Sequence, residues 1–408
     1  MSEISPQYAL KDPAVLADPH PLYHRMRRED PVHWSESLRA WFVTRFDDVQ
    51  SCLRDPRLSS RRTDSIVSSQ LPAGDRPLAA DYARLSRGMM LFQDGDDHHR
   101  LRTLGNHAFT PSALDRFRPV VQSVVDELLD RVAGKSSFDV ARDLAQPLPA
   151  VVIARMFDIP AADRASFQEW ADAAATFFGG TLGDPAASAR AANAAALSLE
   201  QYFLKLLAER RRQPGDDLMS LLIHGQDEGR LSAEEVCCQC IMLLTGGHVT
   251  TIDQFSNTIY AILAHPAELQ KLRNDPALIK SAVEEAVRYD GAVGLARRVA
   301  AEDVEVRGRT IRAGNLVYLS VAAANRDPEV FPDPDRFDVT RSGNKHIGFG
   351  AGPHICIGSG LARRELEIGV TTLLRRFPNL RLAEGNPPRR RCETLVFRGF
   401  HSLPVAVS

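Results

Sequence analysis

The feature that most constrains this chain is a cysteine enclosed by glycines, in the segment Phe349-Gly350-Ala351-Gly352-Pro353-His354-Ile355-Cys356-Ile357-Gly358. The three glycines let the backbone turn sharply and lie close against a large flat ligand. Apolar residues recur at helical spacing from Leu361 to Phe377, before Pro378, so a helix is predicted directly after the cysteine. Amides at the start of that helix would direct partial positive charge toward the sulfur. The segment therefore predicts a thiolate that reaches a metal in a dry pocket.

Composition limits the class of protein. The chain has 408 residues, 44% hydrophobic side chains and a net charge of −2, which allows a large core and does not indicate nucleic-acid binding. The first thirty residues are polar and contain four prolines, so neither a signal peptide nor a membrane anchor is expected. We expect a cytoplasmic protein, monomeric and without contact with a membrane.

The six cysteines, at positions 52, 237, 238, 240, 356 and 392, show no pairing pattern and are expected to remain thiols. Cys237, Cys238 and Cys240 lie within one helical run, where neighbours two apart face different sides. That spacing does not suit zinc, so a packing role is predicted for all three.

Helix signals dominate the chain. Thr110-Pro111 reads as an N-cap followed by proline at the first helical position, and Gly134 ends that helix. Ser232 and Glu235 form a capping box that opens a helix to about His265, apolar nearly all round and therefore buried. Strand signals cluster at 40–45 and 304–320. The predicted fold class is mainly α with a small β-rich region (α+β).

The ten residues around Cys356 resemble the haem-binding loop of cytochromes P450, F-G-x-G-x-[HR]-x-C-x-G, at every specified position. The resemblance to the soluble bacterial type covers nearly the whole chain, because 41–45 looks like the family's early strand and 398–405 like its terminal hairpin. It implies a single domain over residues 1–408, with a long central helix over the haem. Cys356 would be the thiolate ligand of the iron of haem b, and Phe349, Gly350 and Gly358 would shape the loop.

The resemblance also implies residues that bind the haem propionates. His98 and Arg102 lie four apart in a segment similar to the family's H-T-R-L-R, although the usual D-P-P before it is Asp94-Gly95-Asp96 here. Arg298 and His354 match two further propionate-binding positions. Buried carboxylates require such cationic partners.

Oxygen chemistry is expected on the long helix, where 245–251 looks like the family's [AG]-G-x-[DE]-T-T segment. Gly246 and Gly247 would open a groove for dioxygen, Thr250 would take part in oxygen activation, and Thr251 would bond within the helix. Valine stands at position 249 where the family has an acid that relays protons. Either protons come through ordered water, His248 or the substrate, or the enzyme tolerates slow and leaky turnover. Our hypothesis is that the substrate or its carrier supplies the polar group.

A structural network is expected beneath the haem loop. Glu285 and Arg288 share one helical face and can pair. By resemblance to the family's meander, Arg336 is the candidate third member.

The substrate pocket is expected to be apolar with a few hydroxyls. Met242 and Thr245 share the helix face that carries Gly246 and Thr250. The other pocket residues implied by the resemblance are Leu91, Phe92, Phe177, Phe178, Val293, Leu295, Val396 and Phe397.

The leading hypothesis is a haem-thiolate monooxygenase that uses two external electrons to oxidise an organic substrate, such as a secondary-metabolite intermediate, free or tethered to a carrier protein. No flavin or nicotinamide fingerprint appears, so ferredoxin and ferredoxin reductase are the expected donors. The residues expected to attract the ferredoxin are Arg100, Arg102, Arg363 and Arg364. Alternatives are oxidative coupling, desaturation or peroxide-driven oxidation, and, from another class, a non-catalytic haem sensor.

Overall fold

The computed structural model describes residues 8–215, 217–227 and 231–407, and helices make up most of them. The α-helices are α1 (Pro13–Ala17), α2 (His20–Glu29), α3 (Phe46–Arg54), α4 (Thr63–Gln70), α5 (Ala80–Gly88), α6 (Gly95–Ala108), α7 (Pro111–Val132), α8 (Pro147–Met156), α9 (Arg164–Gly179), α10 (Pro185–Arg212), α11 (Leu218–Asp227), α12 (Ala233–Ala264), α13 (Pro266–Asn274), α14 (Ile279–Tyr289), α15 (Val321–Ala324) and α16 (Ser359–Arg376).

The strands are short and form four small sheets within the described residues. They are β1 (Val32–Ser35), β2 (Ala40–Val43), β3 (Leu58–Ser59), β4 (Ser137–Asp139), β5 (Leu295–Ala300), β6 (Val304–Val306), β7 (Arg309–Ile311), β8 (Leu316–Ser320), β9 (Arg381–Leu382), β10 (Arg389–Arg390), β11 (Phe400–Ser402) and β12 (Pro404–Ala406). The largest sheet has the order β1-β2-β8-β5-β3, with β2 parallel to β8 and the other neighbours antiparallel. The predicted α+β class is confirmed.

Helix α12 runs through the middle of the protein, as predicted. Its capping box is present, because the Ser232 hydroxyl accepts from the amide of Glu235 and the Glu235 carboxylate accepts from the amide of Ser232, at 3.1 and 2.8 Å. Helices α8, α9, α10, α14 and α16 pack around α12. Cys237, Cys238 and Cys240 are buried along it, and the Cys238 sulfur packs so closely on α5 that a Cβ at Gly88 would lie 2.6 Å from it.

The predicted terminal hairpin is wrong in its pairing. Strand β11 pairs with β10, whereas β12 pairs with β4 and β9. Leu403 alone separates β11 from β12, and a hairpin needs a loop of about two residues or more. The chain therefore passes from one sheet into another at Leu403.

Among the described residues, no helix combines the length and the apolar character that crossing a bilayer requires.

The network beneath the cysteine loop is centred on Glu285 and Arg288, whose side chains are fully buried. Two guanidinium nitrogens of Arg288 donate to the two carboxylate oxygens of Glu285, at 2.8 and 2.9 Å. The third member is Arg341, whose Nε lies 3.1 Å from both Glu285 oxygens. The choice of Arg336 from the sequence was wrong: its carbonyl accepts from Arg288, while its guanidinium points outward, 60% exposed.

Replacing Arg341 with alanine should therefore lower the free energy of unfolding by about 1.5–3 kcal/mol, because a buried carboxylate loses charge-assisted hydrogen bonds. The matched control, Arg336→Ala, should change it by less than about 0.5 kcal/mol, since an exposed side chain is removed. Urea denaturation followed by circular dichroism measures both. Equal losses for the two variants would contradict the assignment of Arg341.

Candidate active site

The cysteine loop is closed by a hydrogen bond from the Cys356 amide to the Phe349 carbonyl, at 2.8 Å. Gly350 and Gly352 have φ of +80° and +71°, a region that side chains disfavour. A Cβ at Gly352 would also lie 3.1 Å from the carbonyl oxygen of Leu53 on α3. These two glycines are therefore required by conformation and, at Gly352, by close approach.

The sulfur of Cys356 accepts hydrogen bonds from backbone amides and lies near two arginines. Burial raises the pKa of the Cys356 thiol, while hydrogen bonds from the Gly358 and Ser359 amides and the positive charges of Arg102 and Arg363 act in the opposite direction. Cys356 is nevertheless exposed. The amides at the start of α16 hold the sulfur in this position.

The predicted propionate-binding residues meet at one cavity of about 490 Å³. His98 and Arg102 of α6, Arg298 of β5 and His354 of the cysteine loop all line it. The His98 and His354 rings lie 4.1 Å apart. Burial and the neighbouring charges of His354 and Arg102 lower the pKa of His98 to about 4. His98 is therefore neutral at pH 7 and can donate one hydrogen bond.

The cavity carries more positive than negative charge. Among the described residues, no carboxylate lies within ion-pair distance of Arg102 or Arg298, although Arg298 is only 5% exposed and donates only to the carbonyl of Arg297. Buried guanidiniums are stabilised by anions that accept two hydrogen bonds. The two propionates of a haem fit this demand, so the residues present suit the group that the resemblance implies.

Arg62 was missed by the sequence analysis. It is 4% exposed, its Nε has no hydrogen-bond partner, and its Nη1 donates to the Leu91 carbonyl at 3.0 Å. Burial lowers the pKa of the Arg62 guanidinium, and the nearby positive charge of Arg298 acts in the same direction, so Arg62 adds to the positive charge around the cavity. No local pattern marks it, because only the tertiary fold brings the segment before α4 to this cavity.

The middle of α12 opens onto free space at one residue. Gly246 is exposed in the mostly buried middle of this helix, and a Cβ there would meet no described atom within 4 Å. The Thr250 hydroxyl donates to the Gly246 carbonyl at 2.7 Å. Gly247 serves packing instead, because a Cβ there would lie 2.4 Å from Ile153 Cδ1 of α8. Thr251 is buried.

Most of the predicted pocket residues share one neighbourhood. The Phe178 ring lies 6.0 Å from that of Phe92 and 5.9 Å from that of Phe397. Val249 belongs to the same apolar cluster as Phe178, Val293, Leu295, Val396 and Phe397. Phe177 does not, because its ring packs edge-on against Tyr82 in the main core. Leu91 and Met242 also pack with the main core, and the Thr245 hydroxyl donates to the Ile241 carbonyl at 2.8 Å.

Three of the four arginines expected to attract the ferredoxin are paired with carboxylates. Arg100 donates to Glu235, Arg363 to Glu284 and Arg364 to Asp115, at 2.5, 2.6 and 2.8 Å. Arg102 lines the cavity. The carboxylates that cancel these charges come from other elements and cannot be read from the local sequence.

Comparisons with known proteins agree with this geometry. Residues 68–398 match the family model for cytochrome P450. Biotin biosynthesis cytochrome P450 of Bacillus subtilis (strain 168) is 38% identical over 392 residues, 96% of each chain. Nocardicin C N-oxygenase of Nocardia uniformis subsp. tsuyamanensis is 40% identical over 389 residues, 92% of each chain. A solved structure of P450BioI in complex with acyl carrier protein ligated to hexadec-9Z-enoic acid superposes with a TM-score of 0.89 at 38% identity, covering 97% of this chain and 100% of that chain.

Replacing Arg298 with glutamine should accelerate release of bound haem to an acceptor protein by roughly 10- to 100-fold, because about 1.5–3 kcal/mol of charge-assisted hydrogen bonding is lost. Arg312→Gln, which removes an exposed arginine that pairs with Asp303, is the control and should leave the release rate unchanged. Loss of the haem Soret absorbance over time measures both rates. An unchanged rate in the Arg298 variant would exclude Arg298 as a propionate partner.

Proposed function

The chain belongs to the cytochrome P450 family, and we propose that it is a monooxygenase that oxidises an apolar biosynthetic intermediate at a haem bound by Cys356. The observation that carries the proposal is Cys356, an exposed cysteine whose sulfur accepts hydrogen bonds from the amides of Gly358 and Ser359 at the start of α16. When bound, a thiolate-ligated haem supplies the activation of dioxygen by two electrons.

The residues of the chain would position that group and control its surroundings. Arg102, Arg298, His98 and His354 would hold the propionates, and Arg62 would add positive charge beside them. The open space at Gly246 would leave room for dioxygen, and the Thr250 oxygen can still accept a hydrogen bond because its proton is donated to the Gly246 carbonyl.

The proposed substrate has an apolar body. The rings of Phe92, Phe178 and Phe397 form the apolar neighbourhood, and the hydroxyls of Thr245 and Thr250 lie on the α12 face that carries Gly246. Similarity to nocardicin C N-oxygenase and to a P450BioI structure with a ligated acyl carrier protein supports a biosynthetic intermediate as the substrate class.

The proposed electron donor is a ferredoxin that docks over the cysteine loop. Ile355, next to Cys356, is an apolar side chain that is 47% exposed. Arg54 of α3 packs against the same loop, and among the described residues it has no carboxylate at ion-pair distance. An exposed apolar residue beside a free cation suits a small acidic partner.

The proposed haem ligand is tested by the carbon monoxide adduct of the reduced protein. The natural chain should give the thiolate-type absorption spectrum, and Cys356→His should give the imidazole-type spectrum, because the axial ligand sets the spectrum. Cys392→Ser, which changes a half-buried cysteine elsewhere, should leave the adduct unchanged. A thiolate-type spectrum that survives in Cys356→His would refute the proposal.

The proposed docking surface is tested by Ile355→Glu, which should slow reduction by a ferredoxin at least tenfold, because a negative charge is placed opposite an acidic partner. Leu204→Glu on α10, at a residue that is 42% exposed, is the matched control and should not slow it. Stopped-flow reduction under carbon monoxide measures the rate, with dithionite reduction as the reference. Equal rates for both variants would place the donor on another face.

A further inference from the structure

Valine at position 249 leaves the oxygen-activating segment of α12 without an acid. We propose that Asp253, one turn further along the helix, holds the proton that is delivered toward Thr250, and that Asp172 of α9 connects Asp253 to solvent. This inference rests on the proposed monooxygenase function. It names a proton-delivering group that the sequence analysis did not consider.

Helix geometry places Asp253 on the side of α12 that carries Val249 and Thr250. With about 100° per residue, position 253 lies about 40° around the axis from position 249 and about 60° from position 250. Seen down the axis, Asp253 therefore lies between Val249 and Thr250. It is about 6 Å further along the axis than Val249. Asp253 is thus the acid one turn beyond Val249 on the side of α12 that carries Val249 and Thr250.

The sequence also suggested His248 as a source of protons, but this residue lies on a different face of α12 from Thr250. It lies about 160° around the axis from Thr250. Its ring is buried, with Nε2 3.4 Å from the Asp172 carboxylate. His248 is thus directed toward α9 and not toward the space at Gly246.

The surroundings of Asp253 are built to accept a carboxyl group. The side chain is fully buried, and Arg391 Nη2 lies 3.1 Å from Oδ1. A Cβ at Gly399 would lie 1.9 Å from the same oxygen, so only glycine leaves room for it. The C-terminal segment therefore closes over Asp253 without displacing it.

The charges around Asp253 keep a proton available near neutral pH. Burial raises the pKa of Asp253 to about 7, with Asp172 and Asp290 acting in the same direction and Arg391 and Arg390 opposing it. A group with a pKa close to the working pH is suited to give up and regain a proton.

The connection to solvent runs through Asp172. This side chain is 44% exposed on α9, which packs against α12, and its charge acts on Asp253. In the proposed step the O–H bond of the Asp253 carboxyl breaks and the proton passes through water to the Thr250 side. The carboxylate that remains is protonated again from solvent by way of Asp172, so the step is a net transfer of one proton inward.

The first test measures coupling, the fraction of consumed electrons that appears in product, with a substrate found by spectral screening. Asp253→Asn should lower coupling at least tenfold, and adding Val249→Glu to that variant should restore most of it. Asp217→Asn, which breaks another buried ion pair, with Arg210 at 2.7 Å, is the control and should retain coupling. Val249→Glu alone should raise coupling less than twofold.

Three outcomes would each overturn the proposal. They are full coupling in Asp253→Asn, a loss that Val249→Glu does not restore, and a large gain from Val249→Glu alone. Asp172→Asn, at a half-exposed position that should not affect folding, is the second variant. It should lower coupling severalfold, and unchanged coupling would exclude Asp172 as the connection. A thiolate-type carbon monoxide adduct in all variants would show that the haem site is intact. A failed prediction would then concern proton delivery and not the proposed monooxygenase function.

The second test does not depend on turnover. Because the pKa of Asp253 is raised on folding, the folded protein binds more protons than the unfolded one between about pH 4 and 7, and stability falls as pH rises through that window. The melting temperature of the haem-bound natural chain, taken relative to Asp253→Asn, should therefore fall from pH 4 to pH 7. A difference that does not change with pH would show that Asp253 does not titrate there, contrary to the proposal.

Discussion

Keeping one sulfur anion inside the protein is the constraint on which the rest of this structure depends. Burial favours the neutral thiol of Cys356, and the first amides of α16 and two nearby guanidiniums favour the thiolate. One of these, Arg363, is held by Glu284 at 2.6 Å and lies over the Phe349 ring at 4.4 Å. The charge that stabilises the sulfur is thus itself fixed by ion pairing and by the ring of the loop.

The same loop is tied to the buried network below it. Arg288, held by Glu285, donates to the carbonyl of Asn325 at 3.0 Å, and the Asn325 side chain accepts from the amide of Ile347 at 2.9 Å. Ile347 in turn accepts from Gly350 at 2.8 Å. This chain of bonds carries the position of α14 to the start of the cysteine loop, which explains why a fully buried ion pair is retained here despite its desolvation cost.

Features set by local chemistry were predictable from the sequence. The capping box of α12, the glycines of the cysteine loop and the helix that follows it depend on neighbours within ten residues, and all are present. Features set by partners distant in the chain were not predictable. Arg341, and not Arg336, pairs with Glu285. The Phe177 ring packs against Tyr82 and not beside Phe178. Arg100 and Arg364 form ion pairs with Glu235 and Asp115. In each case a side chain from another element decides the outcome, and residue spacing does not record it.

Incomplete ion pairing is a common feature of the buried charged groups at this site. Among the residues that the structure describes, Arg102 and Arg298 have no carboxylate at ion-pair distance, which suits cations that would hold an anionic cofactor. On α12, by contrast, Asp253 is placed against an arginine, but burial raises its pKa to about 7. A stronger ion pair would fix Asp253 as a carboxylate, and an apolar residue would remove it from proton exchange. The partial compensation by Arg391 is therefore what makes a proton at this position exchangeable.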